Sequence, residues 1–245
     1  MTSPSQPNIV QLLLRDRPAF HLGGDARWNS LPETLEAISA SVKPGDSTIE
    51  TGVGASTLVF ASRGAEHTAI SPDPEEHKRV RDYCRQIGVQ DSRLTFIAGL
   101  SDDVLPSLLS HDRTLDVAFI DGAHSFPYPE IDWYYITRSL KIGGTLLMDD
   151  ITIPAVAEVF RHMRLEPNWR LQGVWDERAA SFTLLAAPPP GDPWSDQKHN
   201  RGYPDLSFAA PPERLRLSVA FRAARLRHAL ARRYPILSSV RKRVT

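Results

Sequence analysis

Short apolar runs alternate with longer mixed stretches from residue 47 onward. The apolar runs are S-T-I-E-T (47–51), E-H-T-A-I-S (66–71), L-T-F-I-A-G (94–99), L-D-V-A-F-I-D (115–121) and G-G-T-L-L-M-D-D (143–150). Their length and their content of Val, Ile, Thr and Phe predict strands. The mixed stretches predict helices: one from Pro32 to the K-P-G stop, one over T-L-V-F-A-S-R-G, a charged one ending near Gly88, one opening at S-D-D-V-L-P, and two over 129–140 and 154–163. Pro32 and Glu33 suit a first helical turn, where a missing N–H costs nothing and negative charge meets the positive end of the helix dipole. Strand and helix alternating with short connections imply a parallel sheet covered on both faces.

The rhythm then breaks. W-R-L-Q-G-V-W (169–175) and A-A-S-F-T-L-L-A (179–186), separated by the turn D-E-R, predict a hairpin that closes the sheet with an antiparallel strand. The expected organisation is an irregular N-terminal cap over residues 1–30, an α/β domain over 31–186, a Pro- and Gly-rich strap over 187–212, and a helix with its tail over 213–245. In that helix Leu215, Val219, Leu226 and Leu230 follow one side, with arginines around it.

Composition adds a charge division. The 245 residues are 41% hydrophobic, enough for a real core, and carry no net charge. Residues 213–245 hold ten Lys and Arg against Glu213 alone, which leaves the preceding residues with 19 basic and 28 acidic side chains. The basic tail has three readings: a helix docked on the acidic body, an oligomer contact, or a peripheral contact with anionic lipid. Its arginines lack the interleaved aromatics of a nucleic-acid surface, so no nucleic-acid partner is expected. The N-terminus lacks a basic start followed by a long apolar run, and the expected location is cytoplasmic. Cys84 is the only cysteine, so disulfides within the chain and thiolate metal clusters are excluded.

Two sets of residues carry candidate chemistry. In E-T-G-V-G-A-S (50–56), glycines at a strand-to-helix turn let backbone approach a ligand, although tight turns also need glycine for their own sake. Glu50, and Thr57 three residues after Gly54, depart from the dinucleotide fingerprint. The second set is acidic. Parallel strands carry their final residues to one rim of a sheet, so Asp121, Asp149 and Asp150 should converge there, with His124 three residues beyond the first.

The motifs E-x-G-x-G-x-S, G-L-S-D-D-V-L-P, F-I-D-G-A-H-S and K-I-G-G-T-L-L-M-D-D together resemble the class I S-adenosylmethionine-dependent methyltransferases. Within these the likeness is to the metal-dependent O-methyltransferases of the catechol, caffeoyl-CoA and macrolide-sugar groups. The resemblance implies a Rossmann-like, doubly wound, mostly parallel α/β sheet of seven strands with an antiparallel last strand. It implies that Glu50, Gly52 and Gly54 hold the methionine part of the cofactor, with Ser56 nearby. The acid that grips the ribose hydroxyls in this family is replaced by Ser71, with Asp73 two residues on. Gly99, Leu100, Ser101 and Asp102 fall where the family contacts adenine, and Ser101 and Asp102 also suit a helix cap.

Asp121, Asp149 and Asp150 match the family's metal ligands, and oxygen-only ligands suit a hard divalent ion such as magnesium. The alternative is that Asp121 touches only cofactor and the pair caps a loop. His124 stands where the family places a base, and its alternative is a histidine hydrogen-bonded in a loop. Trp133, Tyr134 and Tyr135 are either pocket wall or core, and His21 and Trp28 are candidates for a lid. The expected activity is metal-assisted O-methylation of a hydroxyl on a small metabolite. Metal-independent transfer and a non-catalytic binding protein that keeps the fold are the alternatives.

Overall fold

The structure is a computed structural model and describes residues 8–21, 30–109, 112, 114–187, 197–202 and 205–233. The first strands are β1 (Ser47–Thr51), β2 (Glu66–Ser71), β3 (Leu94–Ala98), β4 (Leu115–Ile120) and β5 (Leu140–Met148), and they run parallel. A hairpin of β6 (Trp169–Trp175) and β7 (Ala179–Leu184) completes a seven-stranded sheet in the order β3-β2-β1-β4-β5-β7-β6. β7 pairs antiparallel with β5, with Met148 opposite Ala180. The architecture is the expected Rossmann-like one, with the reversed hairpin at one edge.

Strand periodicity divides the core in two. Successive residues of β4 point to opposite faces: Val117 and Phe119 join one apolar cluster, Ala118 and Ile120 the other. The first cluster is covered by α1 (Ile9–Asp16), α2 (Pro32–Ser41), α3 (Ala55–Ser62) and α4 (Pro74–Ile87), through residues such as Leu13, Ile38, Phe60 and Val80. The second is covered by α5 (Ser101–Leu108), α6 (Tyr128–Ser139) and α7 (Pro154–Leu165), through Leu105, Ile136 and Val159. Cys84 is buried in the first cluster, and burial pushes its thiol up to about 11, consistent with a packing residue.

Two elements differ from the sequence expectation. Residues 9–16 form α1, not irregular chain: Ile9, Val10 and Leu13 share a buried face, and Asn8 caps the helix by accepting from the Val10 N–H. β5 begins at Leu140, earlier than 143. α2 has no cap of its own; Asp176, from the turn between β6 and β7, accepts from both N–H and hydroxyl of Thr34. Trp28 and, within the 187–212 segment, residues 188–196 and 203–204 lie outside the described residues.

The chain divides at residue 200 into two compact units. The second contains α8 (Pro211–Arg233), on which Leu215, Val219, Leu226 and Leu230 are exposed. Among the described residues no helix is long and apolar enough to cross a membrane.

Phe182 on β7 is wholly buried and meets Phe160 and Trp169 edge-on. Phe182→Ala leaves a cavity between the hairpin and α7, and denaturant unfolding should report a loss of about 3–5 kcal/mol.

Candidate active site

The sheet changes direction between β1 and β4, and at their carboxyl ends lies a cavity of ≈ 500 Å³, of the size that holds small ligands. Its floor is tied together by backbone hydrogen bonds: Asp121 N–H donates to Thr51 O at 3.0 Å, Asp149 N–H to Ile120 O at 3.0 Å, and Gly52 N–H to Ile70 O at 2.8 Å. Gly52 sits at φ 105°, and a Cβ there would collide with the carbonyl oxygen of Asp121. Glycine is therefore required at this turn, for conformation and for close approach alike.

Most of the sequence-predicted site residues line this cavity: Gly52, Gly54 and Ser56 from the β1 turn, Ser71 and Asp73 after β2, Gly99 and Ser101 after β3, and Asp121, His124 and Asp150 at the far end. Three do not. Glu50 is buried beneath the loop, where its Oε1 accepts from the Thr57 hydroxyl and lies 3.2 Å from His67 Nε2. It supports the glycine turn from inside, and its Oε2 has no hydrogen-bond partner among the described residues. Asp102 stands outside the lining, one residue into α5; the cap position is Leu100, which makes no side-chain cap. Asp149 is the third.

Asp149 is 1% exposed, and both of its oxygens are held by Arg178, each at 2.9 Å. Arg178 Nε also lies 2.9 Å from Asp150 Oδ1. The acids that the sequence brings to one rim thus have a cation among them already, supplied by the hairpin. Arg178 follows the left-handed pair Asp176 and Glu177, and its carbonyl accepts from Ile151 N–H at 2.9 Å. Asp150 itself is left-handed at φ 54°, which aims its carboxylate into the cavity lining.

His124 completes the cluster. Its Nε2 is 3.3 Å from Asp150 Oδ2 and 3.6 Å from Asp121 Oδ1. The Asp121 carboxylate raises the pKa of the imidazole against the opposing effect of burial, with Asp150 and Asp149 adding to the rise. Burial pushes Asp121 in turn up to about 7; His124 and Arg178 oppose that rise, and Asp149 adds to it. The arrangement can accept a proton at neutral pH, and it can hold a cation: Asp121, His124 and Asp150 each offer a ligand atom within 4.8 Å of the others. Trp133 lies outside the lining, edge-on to His162 and against the second core; Tyr128 lines the cavity instead.

The sequence analysis overlooked Arg178 and Glu76. The first is read there only as part of the D-E-R turn, and the second lies unremarked within the charged helix that ends near Gly88. Glu76 lines the cavity and accepts from Ser71 Oγ at 2.6 Å, while His21 Nδ1 lies 2.9 Å from its other oxygen. The signal for each was geometric: the hairpin turn returns to the rim where β5 ends, and Glu76 follows the Asp73 cap by three residues.

Residues 49–151, which run from within β1 to just past the end of β5, match a family model described as a methyltransferase domain. Solved structures share the chain's fold. A protein from Corynebacterium glutamicum matches with TM-score 0.57 and 15% identity, over 76% of this chain and 94% of that one. The O-methyltransferase TomG from Streptomyces achromogenes, involved in tomaymycin synthesis and solved with S-adenosylmethionine, matches with TM-score 0.54 and 13% identity over 76% and 92%. The Podospora anserina methyltransferase PaMTH1, bound to S-adenosylhomocysteine, matches with TM-score 0.55 and 16% identity over 74% and 89%. No curated protein sequence gives a significant match.

Two stability predictions follow from the electrostatics of this site. Arg178→Met strands a buried carboxylate and should cost about 3–5 kcal/mol at neutral pH, a loss that Asp149→Leu in the same chain partly reverses. The second concerns Asp132 on α6, which is fully buried beside Gly122 and the hydroxyls of Thr51 and Ser101. Burial lifts it to about 6, against the hydroxyls of Ser101 and Thr51. The native chain then binds more protons than the unfolded one between the ordinary carboxylate pKa and 6, so stability falls as pH rises through that window. The fall from this residue should approach about 3 kcal/mol, and Asp132→Asn should flatten the denaturation profile over the same range.

Proposed function

We propose that the chain is an S-adenosylmethionine-dependent O-methyltransferase for a small hydroxylated molecule, in which His124 takes the acceptor's proton. The observation that carries this reading is the position of His124, between two carboxylates on the wall of a cavity that a glycine turn also lines. The cofactor fits that turn: Gly52 and Gly54 leave backbone open beside the N-terminus of α3, and Ser56 lines the same wall. Structural relatives solved with S-adenosylmethionine or S-adenosylhomocysteine support the same assignment. When bound, S-adenosylmethionine supplies a methyl group on a positively charged sulfur.

The protein's task is then to align an oxygen and remove its proton. Nε2 of His124 is the ring nitrogen that faces Asp121 and Asp150, so a proton taken up there lies beside two carboxylates. Asp121 and Asp150 stabilise the imidazolium that forms. Asp149, locked by Arg178, also accepts from the Asp150 N–H at 2.7 Å and so fixes the turn that presents Asp150. Tyr128 and Ala123 border the same end of the cavity and would wall the acceptor.

The grouping of Asp121, His124 and Asp150 favours a second reading, in which those three side chains hold a divalent cation. Such an ion would orient acceptor oxygens and lower the pKa of the hydroxyl. Two oxygens and an imidazole nitrogen suit manganese, iron or zinc at least as well as the magnesium expected from oxygen ligands alone. His124 is then a ligand, and the base lies elsewhere.

His124→Ala should lower kcat by about 10²–10⁴ while calorimetry shows S-adenosylmethionine affinity close to native. Full turnover in that variant would end the base assignment. Treatment with EDTA separates the readings: loss of turnover restored by added manganese or magnesium favours the cation, and undiminished turnover favours His124 as base.

A further inference from the structure

We infer that Glu76, braced by Ser71 and His21, is the carboxylate that receives the vicinal hydroxyls of the nucleoside's ribose; this rests on the cofactor reading above. The strand end offers no acid for that task, because β2 finishes in Ser71. Asp73, the nearest acid in sequence, is engaged: one oxygen caps α4 through the Glu75 N–H at 2.9 Å, and the other lies 3.3 Å from Arg79 Nη2. Glu76, one turn further along α4, swings back to the position beside the strand end and lines the cavity.

Its surroundings prepare it for two neutral donors. Oε2 accepts from Ser71 Oγ at 2.6 Å and Oε1 faces His21 Nδ1 at 2.9 Å. Each carboxylate oxygen has capacity for a second hydrogen bond, so two adjacent hydroxyls find two adjacent acceptors. Burial alone would raise the Glu76 pKa, but the bonds from His21 and Ser71 outweigh it and hold the carboxyl below its ordinary value. Glu76 therefore stays ionised at neutral pH, and with Asp73 beside it this end of the cavity disfavours a phosphate. His21 also reaches the glycine turn: its Nε2 is 3.4 Å from where a Cβ on Gly54 would stand. One histidine thus bridges the glycine turn and the carboxylate, and encloses the space where a sugar would lie.

The test is calorimetry on the full chain with S-adenosylhomocysteine and with its 2′,3′-dideoxy analogue. Glu76→Gln should weaken binding of the first by roughly tenfold to a hundredfold, the effect of losing hydrogen bonds to a charged group. It should leave the affinity for the dideoxy analogue, already weak in the native chain, unchanged; that ligand also certifies that the variant is folded. A second variant, Ser71→Asp with Glu76→Ala, returns an acid to the strand end and should recover most of the lost affinity for S-adenosylhomocysteine. Equal losses for both ligands, or no loss for either, overturn the assignment while leaving the cofactor reading intact. Failure of the native chain to bind S-adenosylhomocysteine overturns both.

Discussion

A carboxylate withdrawn from water must be met by a cation or by several donors, and Asp149 imposes that condition on the whole active rim. Arg178 meets it with both ends of its guanidinium fork. The requirement explains why the sheet ends as it does. A seventh strand running parallel would start at the opposite rim; only a reversed strand begins where β5 ends, and so brings the residue before β7 onto the acids. Once the pair is made, Asp150 is held in its left-handed turn and its remaining oxygen is left for His124. Even α2 depends on the same hairpin, since Asp176 in its turn caps that helix.

The parallel strands, the reversed hairpin and the meeting of Asp121, Asp150 and His124 were legible in the sequence because they depend on local periodicity and on the single rule that parallel strands share a rim. What was not legible depends on partners distant along the chain. Arg178 is 29 residues from Asp149, and nothing in D-E-R distinguishes a turn arginine from a buried counterion. Glu50 meets His67 on the neighbouring strand and Thr57 on α3, and no spacing within E-T-G-V-G-A-S encodes the contact with His67. α1 escaped notice for a different reason: its apolar face is only two turns long and gains its stability from packing on α2 and α3, not from its own propensity.

The cavity is chemically asymmetric. One end gathers Asp121, His124, Asp150 and Arg178, where protons and charge can be redistributed; the other presents Ile70, Pro72 and Leu100 beside the carboxylates of Asp73 and Glu76. A ligand with one apolar planar part, one polyhydroxyl part and one reactive charged part meets matching surroundings along its length.

Gly52 and Asp121 are packed back to back, with no space for even a methyl group between the turn after β1 and the carbonyl at the end of β4. The two loops therefore behave as one rigid hinge pin. A replacement at Asp121 that shifts its backbone will displace the glycine turn as well, so weakened cofactor binding in such a variant reports mechanical coupling and does not by itself place the Asp121 carboxylate against the ligand.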